Sequence, residues 1–346
     1  MSVDTIPHSK PTINAGDIAG AAQVLKSGHL AQGKKVVEFE GQVSRYLGMT
    51  GAVATSSGTS ALHLALLALG VGRGDEVIVP SYVCCALLNP ILHAGAVPKI
   101  VDVHPDDFNI DPAQVRKKLS KKTKIIIVPH LFGYPADMKG LLRLGIPIIE
   151  DCAQSIGAEY EGRKAGAWGV LCICSFYATK VLTTAEGGMV LSHRKKLLDD
   201  IRDRREYDKA LTYKVRYNYK MTDVQAALGL SQLARLPQFI ARRKAIARIY
   251  NSMDAHPQIK IPDTAAGRDH IYYRYVIKLK TGQKAFLQKL NKQGIGAARP
   301  VFSPLHRYFN QGQCPVADEL MKQCISIPIY PSLTNAQAQY IVEKTS

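Results

Sequence analysis

Short apolar runs alternate with amphipathic stretches over the first two thirds of the chain. The runs are rich in Val and Ile, which predicts buried strands, and the stretches between them have apolar residues at helical spacing. The predicted strands are 53–55, 76–79, 99–101, 124–128, 146–149, 170–176 and 189–192, and the predicted helices are 15–26, 36–46, 60–69, 83–93, 112–119, 138–144 and 194–205. Strands that alternate with helices favour a mostly parallel sheet with right-handed crossovers, so we expect an α/β fold.

Helix signals dominate the region that follows. Thr222 is the predicted N-cap of a helix over 223–236, and Pro237 is predicted to begin a separate long helix. A strand at 271–279, a helix at 285–293 and a terminal helix from Asn335 complete the pattern. This mixture predicts a large domain over residues 1–240, with an N-terminal helical segment, and a smaller α+β domain over residues 241–346.

The composition is that of an ordinary folded protein, with 46% hydrophobic and 21% charged residues among 346. No apolar run approaches the roughly 20 residues that a membrane helix needs, and the N-terminus lacks the apolar core of a signal peptide. We therefore expect a cytoplasmic protein without a membrane partner. The seven cysteines form no C-x-x-C pair, which predicts reduced, mostly buried thiols and neither a disulfide nor a metal site.

The net charge of +17 favours anionic partners through its long-range field. No nucleic-acid-binding motif accompanies this charge, and the basic residues are spread along the chain. The run 194–209 interleaves its basic residues with acidic ones, as on a solvated helix face. Phosphorylated small molecules are therefore favoured over nucleic acid as ligands.

A turn of small residues follows the first strand. Ser56-Ser57-Gly58-Thr59 stands between strand 53–55 and helix 60–69. Backbone N–H groups and the helix dipole at such a turn point at a ligand, and the hydroxyl groups add donors, so the turn is a candidate anion site. The alternative is an ordinary strand-to-helix turn, which also uses Ser, Gly and Thr.

Two later strands end in reactive polar groups. Asp151 follows strand 146–149, and strand 170–176 carries Ser175 near its end, with Lys180 a few positions on. Because the carboxyl ends of parallel strands share one edge of a sheet, we expect these side chains to meet. An acid and a lysine around a pyridine ring are the arrangement that pyridoxal phosphate (PLP) requires, namely a partner for the pyridinium nitrogen and a Schiff-base lysine.

Each of these residues also has an ordinary structural explanation. Lys180 could be a surface lysine, although its Gly-rich loop favours a nucleophilic amine, and Asp151 could cap a helix or end its strand. Ser175 could satisfy a strand end. His130 follows another strand at the same edge, where it could act as a base, position a substrate or be purely structural. The anion turn, the acid and the lysine lie in order on successive strand ends, which favours one shared site.

With these residues in place, the chain resembles the DegT/DnrJ/StrS-type sugar aminotransferases, which are fold-type I PLP enzymes. The resemblance covers nearly the whole chain. It runs through SGHLAQGKKVVEFE, SSGTSALHLALLALGVGRGDEVIVPSYV, IEDCAQSIGAEYEGRKAGAWG, SFYATKVLTTAEGGMV, RYNYKMTDVQAALGLSQLARL and RPVFSPLH. It implies a PLP-transferase-like large domain with a mostly parallel sheet and a smaller C-terminal domain.

The resemblance also implies roles for single residues. Lys180 matches the Schiff-base lysine, and Asp151 matches the partner of the pyridine nitrogen. Gln154 matches the residue beside the phenolic oxygen of the cofactor. Contacts with the cofactor phosphate are implied for Gly58, Thr59 and Ser175.

The same resemblance implies partners. Asn218 matches a residue that reaches the cofactor phosphate from the neighbouring subunit, which implies a homodimer with shared active sites. The implied amino donor is an amino acid, L-glutamate, and the implied acceptor is a nucleotide-linked keto sugar. Tyr134 and His306, together with His130, are candidates for the acceptor site.

Two positions bear on the kind of reaction. Relatives that catalyse sugar 3-dehydration carry histidine where this chain has Lys180, so the lysine favours transamination. The position that commonly stacks an aromatic ring on the cofactor matches Cys84, and the nearby Tyr82 is in the wrong register to replace it. The alternatives are a PLP enzyme that acts on a keto-cyclitol or an aromatising dehydration substrate, and a non-catalytic PLP-binding regulator.

Overall fold

A computed structural model of the chain describes residues 5–208, 211–262, 264–309 and 312–345. The strands are β1 (Gly51–Thr55), β2 (Glu76–Pro80), β3 (Val97–Val101), β4 (Thr123–Pro129), β5 (Ile148–Asp151), β6 (Glu159–Tyr160), β7 (Arg163–Lys164), β8 (Leu171–Ser175), β9 (Gly188–Ser192), β10 (Ile259–Lys260), β11 (Arg268–Asp269), β12 (Tyr275–Leu279) and β13 (Cys324–Ile327). The helices are α1 (Ala15–Ser27), α2 (Lys34–Tyr46), α3 (Gly58–Ala68), α4 (Leu88–His93), α5 (Pro112–Lys118), α6 (Met138–Leu142), α7 (Lys195–Arg205), α8 (Asp223–Tyr250), α9 (Gln283–Lys292), α10 (Pro315–Gln323) and α11 (Asn335–Thr345).

A seven-stranded sheet in the order β1-β9-β8-β5-β4-β2-β3 forms the centre of the fold. The pairings from β8 through β5, β4 and β2 to β3 are parallel, whereas β9 is antiparallel to both β1 and β8. Along β4, Ile125 and Ile127 belong to the apolar cluster on one face, and Ile126 and Val128 to the cluster on the other. A sheet that is buried on both faces requires such uninterrupted apolar strands. The α/β prediction is confirmed.

The smaller C-terminal region contains a second sheet, in the order β10-β12-β13, with α9, α10 and α11 around it. Its apolar cluster also includes Ile246 and Tyr250 of α8 and Ile6 from the start of the chain. Ile6 forms a parallel bridge with Ile295. The predicted boundary between residues 240 and 241 falls inside α8 and stays a prediction.

The predicted break at Pro237 is wrong, because α8 continues through it as a single helix. Thr222 caps this helix as expected, in a reciprocal pair of hydrogen bonds with Gln225. Pro237 itself is exposed, whereas Leu236 and Phe239 beside it are buried. Packing of the neighbouring turns therefore holds the helix together despite the missing N–H donor.

Two other predicted elements are shorter than expected. The segment 83–93 is extended at Cys84, makes one 3-10 turn at Cys85–Leu87 and becomes α-helical only at Leu88. Pro90 explains this start, since proline is tolerated only in the first turn of a helix. The strand predicted over 271–279 begins at Tyr275, because Tyr272 has a left-handed backbone (φ 53°) that no strand accommodates. None of the helices in the described ranges combines the length and apolar character needed to cross a lipid bilayer.

Candidate active site

A cavity of about 260 Å³ lies at the carboxyl ends of β4, β5 and β8, where ligands bind in open α/β sheets. Its walls come from the turn before α3, the segment that leads to α4, the three strand ends and the loop after β8. The lining residues are Ser57, Gly58, Thr59, Leu62, Val83, Cys84, Ala86, Leu87, Pro129, Leu131, Asp151, Ala153, Gln154, Ile173, Ser175, Tyr177, Lys180 and Glu186.

The turn before α3 forms one end of this cavity. Ser57 caps the helix by accepting a hydrogen bond from the Ser60 N–H, at 3.1 Å. The Gly58 backbone lies so close to β8 that a Cβ atom there would come within 2.7 Å of the Ser175 Cβ. Glycine is therefore required for the strand end and the helix start to meet. With its N–H groups, dipole and hydroxyl side chains, this end of the cavity is suited to a phosphate.

Asp151 lies elsewhere on the cavity wall, at the end of β5. Its carboxylate is only 8% exposed, and its Oδ1 accepts one hydrogen bond, from the Ala153 N–H at 2.9 Å. Burial raises the pKa of Asp151, although the Ala153 N–H, Lys180 and His130 oppose this effect. A buried carboxylate with so few donors is stabilised by a cationic ligand, and a protonated ring nitrogen is such a group.

Gln154 is held in one orientation. The Phe132 N–H donates to its Oε1 at 2.8 Å, which identifies that atom as the carbonyl oxygen and leaves the amide NH₂ as a donor with no partner among the described residues. Phe132 itself has a left-handed backbone, with φ of 59°. The geometry fits a role in which Gln154 donates a hydrogen bond to an oxygen of the ligand.

Lys180 lies half-buried in the loop after β8. Its Nζ is 5.2 Å from the centroid of the Tyr273 ring, an arrangement typical of a cation–π contact. Lys180 and Asp151 also interact electrostatically, since the lysine lowers the pKa of the carboxyl group against the effect of burial. An amine and a buried acid thus share one cavity with an anion-binding turn.

Most of the remaining wall is formed by small and aliphatic side chains. Val83 and Cys84 line the cavity from the segment before α4, and Ala153 and Ile173 line it from the strand ends. Tyr82 does not take the place of Cys84, because its ring is fully buried and stacks on Phe108 at 6.2 Å. Cys84 therefore contributes a thiol to this wall, and Tyr82 contributes no ring.

Comparison with known proteins identifies the kind of protein to which this cavity belongs. The sequence model of the DegT/DnrJ/EryC1/StrS aminotransferase family matches residues 11–346. The chain belongs to this family. The GDP-perosamine synthase of Escherichia coli O157:H7 is 33% identical over 362 residues, which cover 98% of this chain and 97% of the relative.

Solved structures of aminotransferases superimpose on this chain over nearly its whole length. DesV of S. venezuelae, solved in complex with a ketimine intermediate, has a TM-score of 0.92 at 32% identity, with 99% of this chain and 98% of DesV covered. The PLP form of Spr1654 from Streptococcus pneumoniae has a TM-score of 0.92 at 29% identity, with 99% and 97% covered. The predictions of the family, of an aminotransferase and of its fold are confirmed.

In this member of the DegT/DnrJ/EryC1/StrS aminotransferase family, six of the predicted site residues lie together on the cavity wall. They are Gly58, Thr59, Asp151, Gln154, Ser175 and Lys180. Asn218 is exposed and is not among the lining residues that the structure describes for this cavity. Its predicted role requires a neighbouring subunit and stays a prediction.

The three candidates for the acceptor site lie away from this wall. His130 is fully buried, and the Ala136 N–H donates to its Nδ1 at 3.0 Å. Its Nε2–H therefore donates to the Glu150 carboxylate, at 2.9 Å. Glu150 also accepts hydrogen bonds from three backbone N–H groups, those of Gly166, Trp168 and Gly169.

Tyr134 and His306 are likewise bound to other parts of the aminotransferase. The Tyr134 hydroxyl accepts a hydrogen bond from the Ala265 N–H at 2.7 Å, beside a separate cavity of about 530 Å³. The His306 ring contacts Ser81 Oγ at 2.6 Å and Asp318 Oδ2 at 3.2 Å. Both side chains connect segments that surround the site rather than line it.

Several residues at the site were not predicted from the sequence. Tyr177 and Glu186 line the cavity from the same loop as Lys180. Ser57 belongs to the predicted anion turn, but its role as the cap of α3 was not predicted, although the Ser-Gly-Thr sequence at the start of the helix could have indicated it. Tyr273 could not have been predicted, because it lies in an ordinary strand-like sequence far along the chain from Lys180.

Proposed function

We propose that the chain binds pyridoxal 5′-phosphate in this cavity and moves an amino group from an amino acid, L-glutamate, to a nucleotide-linked keto sugar. The observation that carries this proposal is the meeting of Lys180, Asp151 and the Gly58-Thr59 turn around one cavity. Family membership and relatives with names such as GDP-perosamine synthase support the sugar part of the proposal. The diphosphate of a nucleotide sugar also suits the net charge of +17.

The residues present fit the cofactor. The backbone of Gly58 and the start of α3 suit its phosphate, because only glycine permits the close approach to Ser175. Asp151 suits its ring nitrogen, because the buried carboxylate gains a cationic partner. The free NH₂ of Gln154 suits its phenolic oxygen. When bound, the cofactor supplies a carbonyl that accepts the amino group and a ring that stores electrons.

In this proposal the protein contributes proton transfer and orientation. Lys180 would hold the cofactor through its Nζ, and after the amino donor has replaced it the free amine would remove a proton at one carbon and return it at another. Asp151 would hold the ring nitrogen in its protonated form, because the ionised carboxylate stabilises the positive charge there. The Ser57 to Thr59 turn fixes the distant end of the ligand, which keeps the reacting carbon close to Lys180.

We further propose a homodimer that works in the cytoplasm. Leu211 and Tyr213 are almost fully exposed, and Val215 is 58% exposed, in the loop that leads to Asn218. Apolar side chains grouped in this way are typical of a surface that a second subunit covers. The same loop would then deliver Asn218 to the site of the partner subunit.

The experiment that tests the cofactor proposal is a spectrum of the purified protein with added pyridoxal phosphate. We expect visible absorbance in the wild type and in Lys195→Ala, which removes an exposed lysine of α7. We expect it to be lost in Lys180→Ala, because the covalent link to the amine is removed. A wild type that stays colourless after reconstitution contradicts the proposal.

The substrate is tested separately with glutamate and panels of keto sugars, nucleotide-linked keto sugars and keto-cyclitols. The appearance of 2-oxoglutarate measures amino transfer, and we expect it only with the nucleotide-linked keto sugars. Amination confined to a cyclitol rejects the sugar as acceptor but leaves the cofactor proposal intact.

A further inference from the structure

The side chain beneath Lys180 is held in an unusual environment. The Tyr273 ring contacts two cations, with Lys180 Nζ 5.2 Å from its centroid and the Arg274 Cζ 5.0 Å from it. The ring is only 7% exposed, and its hydroxyl oxygen is 3.5 Å from the Thr179 Oγ1. A ring face carries negative charge density, so it attracts both cations.

The backbone around Tyr273 is fixed by a second, independent set of contacts. Arg243 is buried and donates through one nitrogen to the carbonyl oxygens of Tyr272, Tyr273 and Ile329, at 3.1, 3.2 and 2.8 Å. All three acceptors are carbonyl oxygens, and among the described residues this buried cation has no carboxylate in ion-pair contact. Placing a guanidinium here is costly, which indicates that the position of this backbone matters.

Backbone strain and close packing act at the same point. Tyr272, immediately before Tyr273, has a φ of 53°, which non-glycine residues rarely adopt. On the other side, a Cβ atom on Gly133 would come within 2.9 Å of the Tyr273 nitrogen, so only glycine permits this approach. Strained conformations of this kind persist where the surrounding structure holds a functional side chain in place.

We propose that Tyr273 is a positioning residue whose ring holds the Lys180 amine at the cavity. This inference rests on the proposed function, in which Lys180 moves between the cofactor and a free state within each reaction cycle. While the amine is free, the ring holds it at the cavity through the cation–π contact. Burial acts to raise the pKa of Tyr273, but Lys180 and Arg274 outweigh burial and lower it to about 8, which agrees with two cations at the ring.

The test compares three substitutions at Tyr273 with a matched control elsewhere. Tyr273→Phe keeps the ring, Tyr273→Met fills much of its volume without a ring, and Tyr273→Leu removes it. Tyr160→Leu removes a tyrosine of equal burial that packs in another apolar cluster. Melting temperatures establish which variants fold. If Tyr273→Leu does not fold, Tyr273→Met still provides a variant without the ring.

The first measurement is the rate at which an amine-reactive anhydride modifies Lys180 in the full chain without added cofactor, read by peptide mass spectrometry. Loss of the ring should make modification about two- to fivefold faster in the Met and Leu variants. The Phe variant and the Tyr160→Leu control should match the wild type. Equal rates in all five proteins overturn the proposal, and so does a Phe variant that behaves like the Met variant.

The second measurement is the kinetics of the holoenzyme. We expect kcat to fall in the Met and Leu variants while KM for the amino donor stays near the wild-type value, because the ring acts on Lys180 and does not touch the substrate. A rise in KM with unchanged kcat contradicts the inference. A wild type that never gains visible absorbance with pyridoxal phosphate instead rejects the proposed function, and the cofactor-free labelling rates report on Tyr273 independently of it.

Discussion

At the scale of single residues, His270 connects the stability of the fold to pH. The imidazole is 6% exposed, and its Nδ1 accepts a hydrogen bond from the Tyr272 N–H at 3.0 Å. Burial lowers the pKa of His270 from 6.5 to about 3, so the ring is neutral in the folded protein at neutral pH. His8 behaves in the same way, since burial and Arg274 lower its pKa to about 3.

These lowered pKa values predict acid sensitivity. Below pH 6.5 His270 is protonated in the unfolded chain but stays neutral in the folded chain down to about pH 3. The free energy of unfolding therefore falls as the pH falls. For one such group the loss between pH 7 and pH 5 is about 2 kcal/mol. Urea unfolding at the two pH values should therefore show a smaller pH-dependent loss in His270→Gln than in the wild type.

The comparison has its own control. His29→Gln removes an exposed histidine, and its loss of stability between the two pH values should equal that of the wild type. If His270→Gln also loses as much as the wild type, the buried imidazole is not the source of the pH dependence. His270→Gln is expected to lower the free energy of unfolding at pH 7 as well. This offset is removed because each variant at pH 5 is compared with the same variant at pH 7.

At the scale of elements, Pro237 is a local defect in the longest described helix. It lies inside α8 and is exposed, so its ring contributes little packing while the helix loses one backbone hydrogen bond. Pro237→Ala should raise the free energy of unfolding by about 1 to 3 kcal/mol, measured by urea denaturation.

Pro112→Ala is the matched control for this change. Pro112 stands in the first turn of α5, where proline needs no N–H donor and its fixed φ suits the helix. Its replacement should leave stability unchanged or lower it slightly. A gain from Pro112→Ala as large as that from Pro237→Ala would show that the effect does not come from the helix interior.

The elements show what the sequence could predict. The strands and most helices were predictable because apolar periodicity and capping residues such as Asn14 and Thr222 act locally. The continuity of α8 was not, because it depends on tertiary packing around Leu236 and Phe239 rather than on propensity. The short β12 was not predictable either, since the left-handed Tyr272 is imposed by contacts with a distant loop.

The candidate site also contains residues that the sequence could predict and residues that it could not. Asp151, Ser175 and Lys180 could be predicted because parallel strands end at one edge of the sheet. Tyr273 could not, because only the folded chain brings it beneath Lys180. His130 shows the converse, since it ends β4 as predicted but turns away from the cavity to the buried Glu150 carboxylate.

At the scale of the whole molecule, the proposed dimer with shared sites predicts that two inactive variants regain activity when they form a mixed dimer. In a dimer of Lys180→Ala with Asn218→Ala, one site has both changes and the other has neither. Random mixing makes half of the dimers hybrid, so we expect about a quarter of wild-type activity after the two chains are co-expressed. Neither variant alone should reach that level.

A pair of changes within one site is the control for this experiment. Lys180→Ala mixed with Asp151→Asn should show no recovery, because every site in the hybrid keeps one defect. If the Asn218 mixture shows only the average of its two components, Asn218 does not act on the site of the partner subunit. The amount of dimer in each mixture is checked by light scattering.

The contacts that Ile6 and His8 make with later segments have a consequence for folding during synthesis. Ile6 bridges Ile295, and the His8 ring contacts both Arg274 and Ser326, while Arg274 lies on the Tyr273 ring. Residues 6 and 8 therefore leave the ribosome more than 260 residues before the partners that they contact. Unlike a domain that folds as it emerges, the support beneath Lys180 can be completed only once residue 329 has been made, because Arg243 also binds the Ile329 carbonyl.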